Sequence, residues 1–191
     1  VWELPATPGA DQGVYATFEF DEQIAGFPYF TIDAPEGAVI EVMVQEGHDP
    51  SKVRWLDTYF FNWSRFICRE GLNRFETFDF ESFRWMQLHV RNASRPVVIR
   101  EVGVRRRMFP WPDPPKVVTS EAPLQRLFDA SVNTLNNSAI ELIMDGGGRE
   151  RQQYSGDGGH QLHAIRYAFG ERRLCARFLR TFSEGLTVDG Y

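Results

Sequence analysis

From Gly13 to about Arg106 the chain is written in short runs that alternate apolar and polar side chains, broken by Gly, Pro, Asn and Asp. Val14–Phe20, Tyr29–Ile32, Val39–Val44, Arg74–Phe78, Arg84–Val90 and Val97–Val102 are rich in β-branched and aromatic residues, the composition of half-buried strands. Pro35-Glu36-Gly37 and Glu46-Gly47-His48-Asp49-Pro50 supply turn chemistry between them. Short strands at such regular spacing predict an antiparallel β-sandwich. No long helical period occurs before residue 117.

The pattern then changes. Phe109-Pro110-Trp111-Pro112-Asp113-Pro114-Pro115 is too proline-rich for helix or central strand and reads as a stiff linker. Beyond it Leu124, Leu127, Phe128, Ser131 and Leu135 mark one stripe of an amphipathic helix, with Ser120 as the expected cap and Pro123 confined to its first turn. A second helix is predicted from near Asp157 through Tyr167, ending at Gly170, and a third with Leu174, Phe178, Leu179 and Phe182 as its apolar positions. The expected organisation is a β domain over residues 1–108, a linker over 109–116 and a helical part over 117–191.

Composition narrows the function. Hydrophobic residues make up 42% of the chain and aromatics 14%, enough for a packed core and against disorder. The 26 acidic against 21 basic residues leave a formal charge of −5, without the basic excess that a nucleic-acid binder needs. A neutral partner fits better. Cys68 and Cys175 are too few for a disulfide framework or a zinc cluster and read as free structural thiols. No run nears the roughly 20 apolar residues that cross a bilayer, and the first residues lack the basic-then-apolar pattern of a secretion signal. No membrane partner is expected. The start at Val1 and the turn-like Val188-Asp189-Gly190 before Tyr191 suggest a fragment.

Chemistry concentrates between the first two helices. Asp145-Gly146-Gly147-Gly148-Arg149-Glu150-Arg151-Gln152-Gln153-Tyr154-Ser155-Gly156-Asp157 holds three carboxylates, two arginines and four glycines. Glycines let the backbone come close to a ligand, and carboxylates interspersed with Arg, Gln and Tyr suit sugar hydroxyls and proton transfer to a glycosidic oxygen. The plainer reading is a solvated charge run followed by a helix cap at Asp157. A nucleotide loop is disfavoured because no Lys-Ser/Thr pair follows the glycines.

In order and spacing this segment resembles the signature of bacterial α-L-rhamnosidases: an Asp, five residues later the Glu of Arg-Glu-Arg, then an aromatic, a small residue, Gly and Asp. The match falls on Asp145, Arg149-Glu150-Arg151, Tyr154, Ser155, Gly156 and Asp157. Phe18-Glu19-Phe20, Gly26-Phe27-Pro28, Ile32–Gly37 with Ile40-Glu41, and Phe83-Arg84-Trp85 resemble landmarks of the family's β-sandwich more loosely. Thr119-Ser120 resembles the beginning of its helical barrel. The resemblance implies an antiparallel β-sandwich followed by the first helices of an incomplete (α/α)6 six-hairpin barrel, the N-terminal part of a truncated catalytic domain. It also implies hydrolysis of terminal α-L-rhamnosyl glycosides with inversion. Glu150 would be the general acid, Asp145 and Asp157 would hold ring hydroxyls, and Arg149 would pair with another carboxylate or with the sugar. Tyr154 would stack on the sugar or sit in the core.

The general base would lie beyond this chain, so the implied partners are a rhamnose-containing glycoside and the missing remainder of the catalytic domain. No cofactor and no metal are expected. Helices built to bury two sides would then leave Leu124, Leu127, Phe178 and Phe182 exposed. Two departures, Gly146-Gly147 where the family has Cys-Pro and Tyr154 where it has Trp, change the pocket wall without removing a carboxylate. A six-hairpin glycosidase for another sugar and a non-catalytic carbohydrate-binding or domain-docking module are the competing readings.

Other features have plainer explanations. His160 and His163 share a helix face, a spacing that can bind metal but more often does not. Trp55, Trp63, Trp85 and Trp111 suit a core or interdomain seam better than a sugar platform. Arg105-Arg106-Arg107 suits a solvated or interdomain cluster better than a phosphate site.

Overall fold

Seven strands come first, β1 Trp2–Leu4, β2 Gly13–Ala34, β3 Val39–Gln45, β4 Trp63–Ile67, β5 Gly71–Glu76, β6 Glu81–Arg91 and β7 Val97–Arg106. Three helices follow, α1 Ala122–Ser138, α2 Ser155–Phe169 and α3 Arg173–Glu184. The computed structural model describes residues 1–9, 11–56, 63–115 and 117–185. The expected turn at Val188–Gly190 lies outside them. The chain divides into two units, Val1–Arg106 and Arg107–Tyr191.

The strand β2 organises the first unit. Its first half pairs antiparallel with β6, from Gly13 opposite Arg91 to Gly26 opposite Glu81, across an irregularity between Glu19 and Ile24. Its second half pairs with β7 on one edge and β5 on the other. The strand changes partners at Gly26, where a Cβ would stand 2.5 Å from the Arg105 carbonyl oxygen, so only glycine permits this approach. One strand thus serves both layers of a sandwich: β4–β3–β6 with the front of β2, and β5 and β7–β1 with its back.

Period-two alternation fills the space between the layers. Ile40, Val42 and Val44 of β3 and Met86, Leu88 and Val90 of β6 join Phe30, Ile32 and Ala34 of β2 and Val97 and Ile99 of β7 in one buried cluster. Cys68 joins it as a free thiol, and burial pushes that thiol up to about 11. Tyr29–Ile32, read separately from Val14–Phe20, belongs to the same 22-residue strand. The edge strands β1 and β4 went unpredicted. Their side chains are largely exposed, so backbone pairing rather than an apolar face defines them.

In the second unit Pro123 lies in the first turn of α1, as predicted, but the cap is Glu121, not Ser120. Upstream, Thr119 Oγ1 accepts the Glu121 N–H and Gln125 Oε1 accepts the Thr119 N–H, so side chains brace the approach while no side chain caps the helix. Gly170 ends α2 in the left-handed region, φ 67°. Leu135, Ala139, Ile143, Ile165, Phe169, Leu174 and Phe178 form the core, with Phe128 and Val132 beside it. Leu124, Leu127 and Phe182 are exposed as expected, whereas Phe178 is buried to 3%. The cause is Gly158, which leaves the space that the Phe178 ring occupies.

The proline segment is not a bare spacer. The Phe109 N–H donates to the Ala139 carbonyl at 2.8 Å, and Trp111 stacks on Phe169 at 4.1 Å while its indole N–H donates to Asn136 Oδ1. Two aromatic anchors thus hold it against the helices.

Candidate functional site

The segment between α1 and α2 is positioned by a buried pair. Ile143 and Met144 are each 1% exposed, and the Met144 N–H donates to the Ser138 carbonyl at 2.8 Å, fixing where Asp145 emerges. From the other side Gln161 Nε2 of α2 donates to the Met144 carbonyl at 2.9 Å. Gln161 carries no motif signal and was not singled out from sequence.

A loop then closes on itself. The Asp145 N–H donates to the Gln152 carbonyl at 3.0 Å, and the Gln152 N–H donates to Asp145 Oδ1 at 2.9 Å. Arg151 takes the left-handed region, φ 55°, and its Nε donates to the Gly147 carbonyl at 2.8 Å. Glu150 is carried at the exposed end of this closed loop.

Asp145 and Glu150 meet through their side chains. Partial burial pushes the Asp145 carboxyl up. Backbone N–H donors from Gln152 and Gly146 and the hydrogen bond with Glu150 outweigh it and hold the group below the usual carboxylate range. The backbone donors favour the anion at Asp145. A guanidinium nitrogen of Arg149 stands 3.0 Å from Glu150 Oε2, a contact that the expectation for Arg149 did not include. With both side chains well exposed, that pair contributes about 0–1 kcal/mol.

Tyr154 and Asp157 stand apart from this pair. Tyr154 is the N-terminal flanking residue of α2 and is 44% exposed. Asp157 lies exposed in the first helical turn, where its charge suits the helix dipole. The five expected residues thus form an Asp145–Glu150–Arg149 cluster and a neighbouring open turn bearing Tyr154 and Asp157. A cavity of about 440 Å³ in the same unit is lined by Phe109, Ile140, Glu141, Arg173, Leu174 and Arg177 among others, none of them from the signature.

The remaining candidates are dispersed. His160 and His163 are exposed on α2, and among the described residues no three His, Cys, Asp or Glu side chains group as metal ligands. Trp55 packs on Tyr15 and His89, Trp63 carries Arg65 over its ring, Trp85 meets His48, and Trp111 belongs to the helical unit. Arg105, Arg106 and Arg107 each pair with a different carboxylate, Glu76, Glu22 and Glu141. Sequence reasoning also missed Glu171, 2% exposed, whose carboxylate accepts the Arg173 and Leu174 N–H groups at the start of α3.

No family model and no curated protein matches the chain. Solved structures do. The chain is similar to a GH78 family rhamnosidase of Bacillus sp. GL1, with a TM-score of 0.84 and 26% identity over 93% of this chain and 18% of that one. It is similar to a rhamnosidase from Klebsiella oxytoca with rhamnose bound, TM-score 0.79 and 19% identity over 95% and 37% of the two chains. An α-L-rhamnosidase from Aspergillus terreus gives a TM-score of 0.63 and 16% identity over 97% and 21%. Nearly the whole chain therefore shares the rhamnosidase fold, an antiparallel β-sandwich followed by helices, and it spans well under half the length of these relatives.

Proposed function

We propose that this chain supplies the proton-donating side of the active site of an α-L-rhamnosidase, with Glu150 as the general acid. The similarity to rhamnosidase structures supports the reaction class, and the carboxyl pair of Asp145 and Glu150 supports the role. A leaving oxygen needs a proton as the glycosidic bond breaks. In this reading Glu150 donates it, and Asp145, held as the anion by backbone N–H groups, stands beside it and closes the loop that carries it. Arg149 leaves Glu150 for the sugar or for another carboxylate when substrate binds. Asp157 and Tyr154 in the neighbouring turn hold the ring, Asp157 through hydroxyls and Tyr154 through its aromatic face.

Inversion requires a second carboxylate about 6.5–9.5 Å from the acid, which activates water on the opposite face of the sugar. We place that base in a part of the catalytic domain outside this sequence. The substrate is a terminal α-L-rhamnoside, and the 191-residue chain by itself turns over little of it. The test is Glu150→Gln in a longer protein that includes the remaining barrel. Hydrolysis of a natural rhamnoside should be abolished while rhamnose still binds; an active Gln variant overturns the assignment.

A further inference from the structure

Met144 and Asp145 share one peptide group, and both of its ends are tied. The Met144 carbonyl accepts the Gln161 side-chain N–H at 2.9 Å, and the Asp145 N–H donates to the Gln152 carbonyl at 3.0 Å. A trans peptide is planar, with its C=O and N–H pointing in opposite directions, so a donor that fixes one fixes the aim of the other. From α2, Gln161 thus aims the N–H that closes the acidic loop. The two bonds also polarise each other through the amide they share.

The helix places the side chain for this. Asp157, Gln161 and Ile165 follow one another at intervals of four along one stripe of α2. The stripe passes from exposed Asp157 through half-buried Gln161 to Ile165, which is buried in the core that also takes Ile143. That core anchors both sides of the contact, because Ile143 precedes Met144 and Ile165 lies one turn beyond Gln161. A carbonyl can only accept, so the amide faces Met144 with its nitrogen. Its Oε1 is buried and has no hydrogen-bond partner among the described residues, which leaves the N–H as the half that acts on the loop. Solvent is a poor substitute for it, since Met144 is 1% exposed.

We propose that Gln161 is a positioning residue: through the Met144–Asp145 peptide it holds the Asp145–Gln152 clasp, and with it Glu150, in a fixed place relative to Asp157 on its own helix. The Asp145–Glu150–Arg149 cluster and the turn bearing Tyr154 and Asp157 are thereby kept in one frame. The effect of Gln161 on the loop stands on geometry alone, and its effect on rate rests on the role proposed for Glu150.

The first test is amide exchange in the 191-residue chain with two variants. Gln161→Met keeps the side-chain length and removes the donor, whereas Gln161→His keeps a ring N–H at similar reach. In Gln161→Met, exchange at Asp145 and Gln152 should quicken about tenfold while Ile165 and Phe169 keep their parent rates, and Gln161→His should stay near the parent throughout. The proposal is overturned if Asp145 and Gln152 do not respond, if Ile165 and Phe169 respond as strongly, or if both variants lose protection equally. The second test uses the longer protein that includes the remaining barrel, with Glu150→Gln measured alongside. There Gln161→Met should lower kcat on a natural rhamnoside about tenfold and spare an aryl rhamnoside with a very good leaving group, because a misplaced acid matters only where protonation is needed. If Glu150→Gln separates the two substrates and Gln161→Met does not, Gln161 does not position the acid and the proposal fails. If neither separates them while the loop amides respond as expected, the acid assignment is what fails, and the placing of the loop by Gln161 is upheld.

Discussion

Asp145 and Gln152 clasp each other twice: the Asp145 N–H donates to the Gln152 carbonyl, and the Gln152 N–H donates to the Asp145 carboxylate. Everything between them, Glu150 included, hangs from that clasp, so the geometry of the proposed acid depends on a residue five positions before it.

Asp145→Ala should therefore loosen the loop and lower the stability of the helical unit by about 1–2 kcal/mol, the loss of a charge-assisted hydrogen bond. Asp145→Asn, which keeps an acceptor oxygen, should lose less. Thermal melts of the two variants check this, and equal losses would show that charge, not the acceptor, matters.

The same carboxylate gives an acid limit with a definite sign. Its folded value lies below its ordinary one, so its contribution is fully present above the unfolded value of about 3.9 and is lost as pH falls through the folded value. Between pH 5 and 8 this group should contribute no pH dependence, and below about 4 the loop should open. Amide exchange at Gln152 against pH reads the transition directly.

Glu150→Gln should also change how rate depends on the leaving group. Aryl rhamnosides with very good leaving groups need little protonation, so they should keep far more of their rate than natural glycosides. Equal losses on both substrate types, measured in the longer protein, would leave Glu150 a binding residue instead of an acid.

Gly158 and Gly159 make a paired test of the α2–α3 packing. A Cβ at Gly158 would fall 2.0 Å from the Phe178 ring, whereas one at Gly159 meets nothing within 4 Å. Gly158→Ala should destabilise the unit by about 1–3 kcal/mol through overpacking. Gly159→Ala should be neutral or stabilise by up to about 1 kcal/mol through helix propensity. Denaturant melts distinguish the two.

Glu171→Ala should cost about 1–2 kcal/mol, because two N–H groups at the start of α3 lose their acceptor. Gln at this position keeps an acceptor oxygen and should recover part of it. An equal loss in both variants, read from the melt of the helical unit, would mean the carboxylate's charge carries the effect.

By itself the sequence determined the order of architectures, strands to about residue 106 and helices after the prolines, because period-two and period-3.6 patterns are local and reflect which face each residue buries. It also singled out Asp145, Arg149, Glu150, Tyr154 and Asp157 as candidates, because the motif that carries the resemblance is contiguous and needs no knowledge of packing. Long-range geometry was decided by the tertiary structure alone. That β2 serves both layers depends on Arg105 approaching Gly26, a residue about eighty positions away. That Phe178 is buried depends on the missing side chain of Gly158. That Asp145 and Glu150 share a hydrogen bond depends on a loop closed by Gln152. Trp111 likewise belongs to the helices because Phe169 and Asn136 meet it there. Such contacts leave no periodic trace in the chain, because each is fixed by the shape of a distant partner and not by the neighbours in sequence.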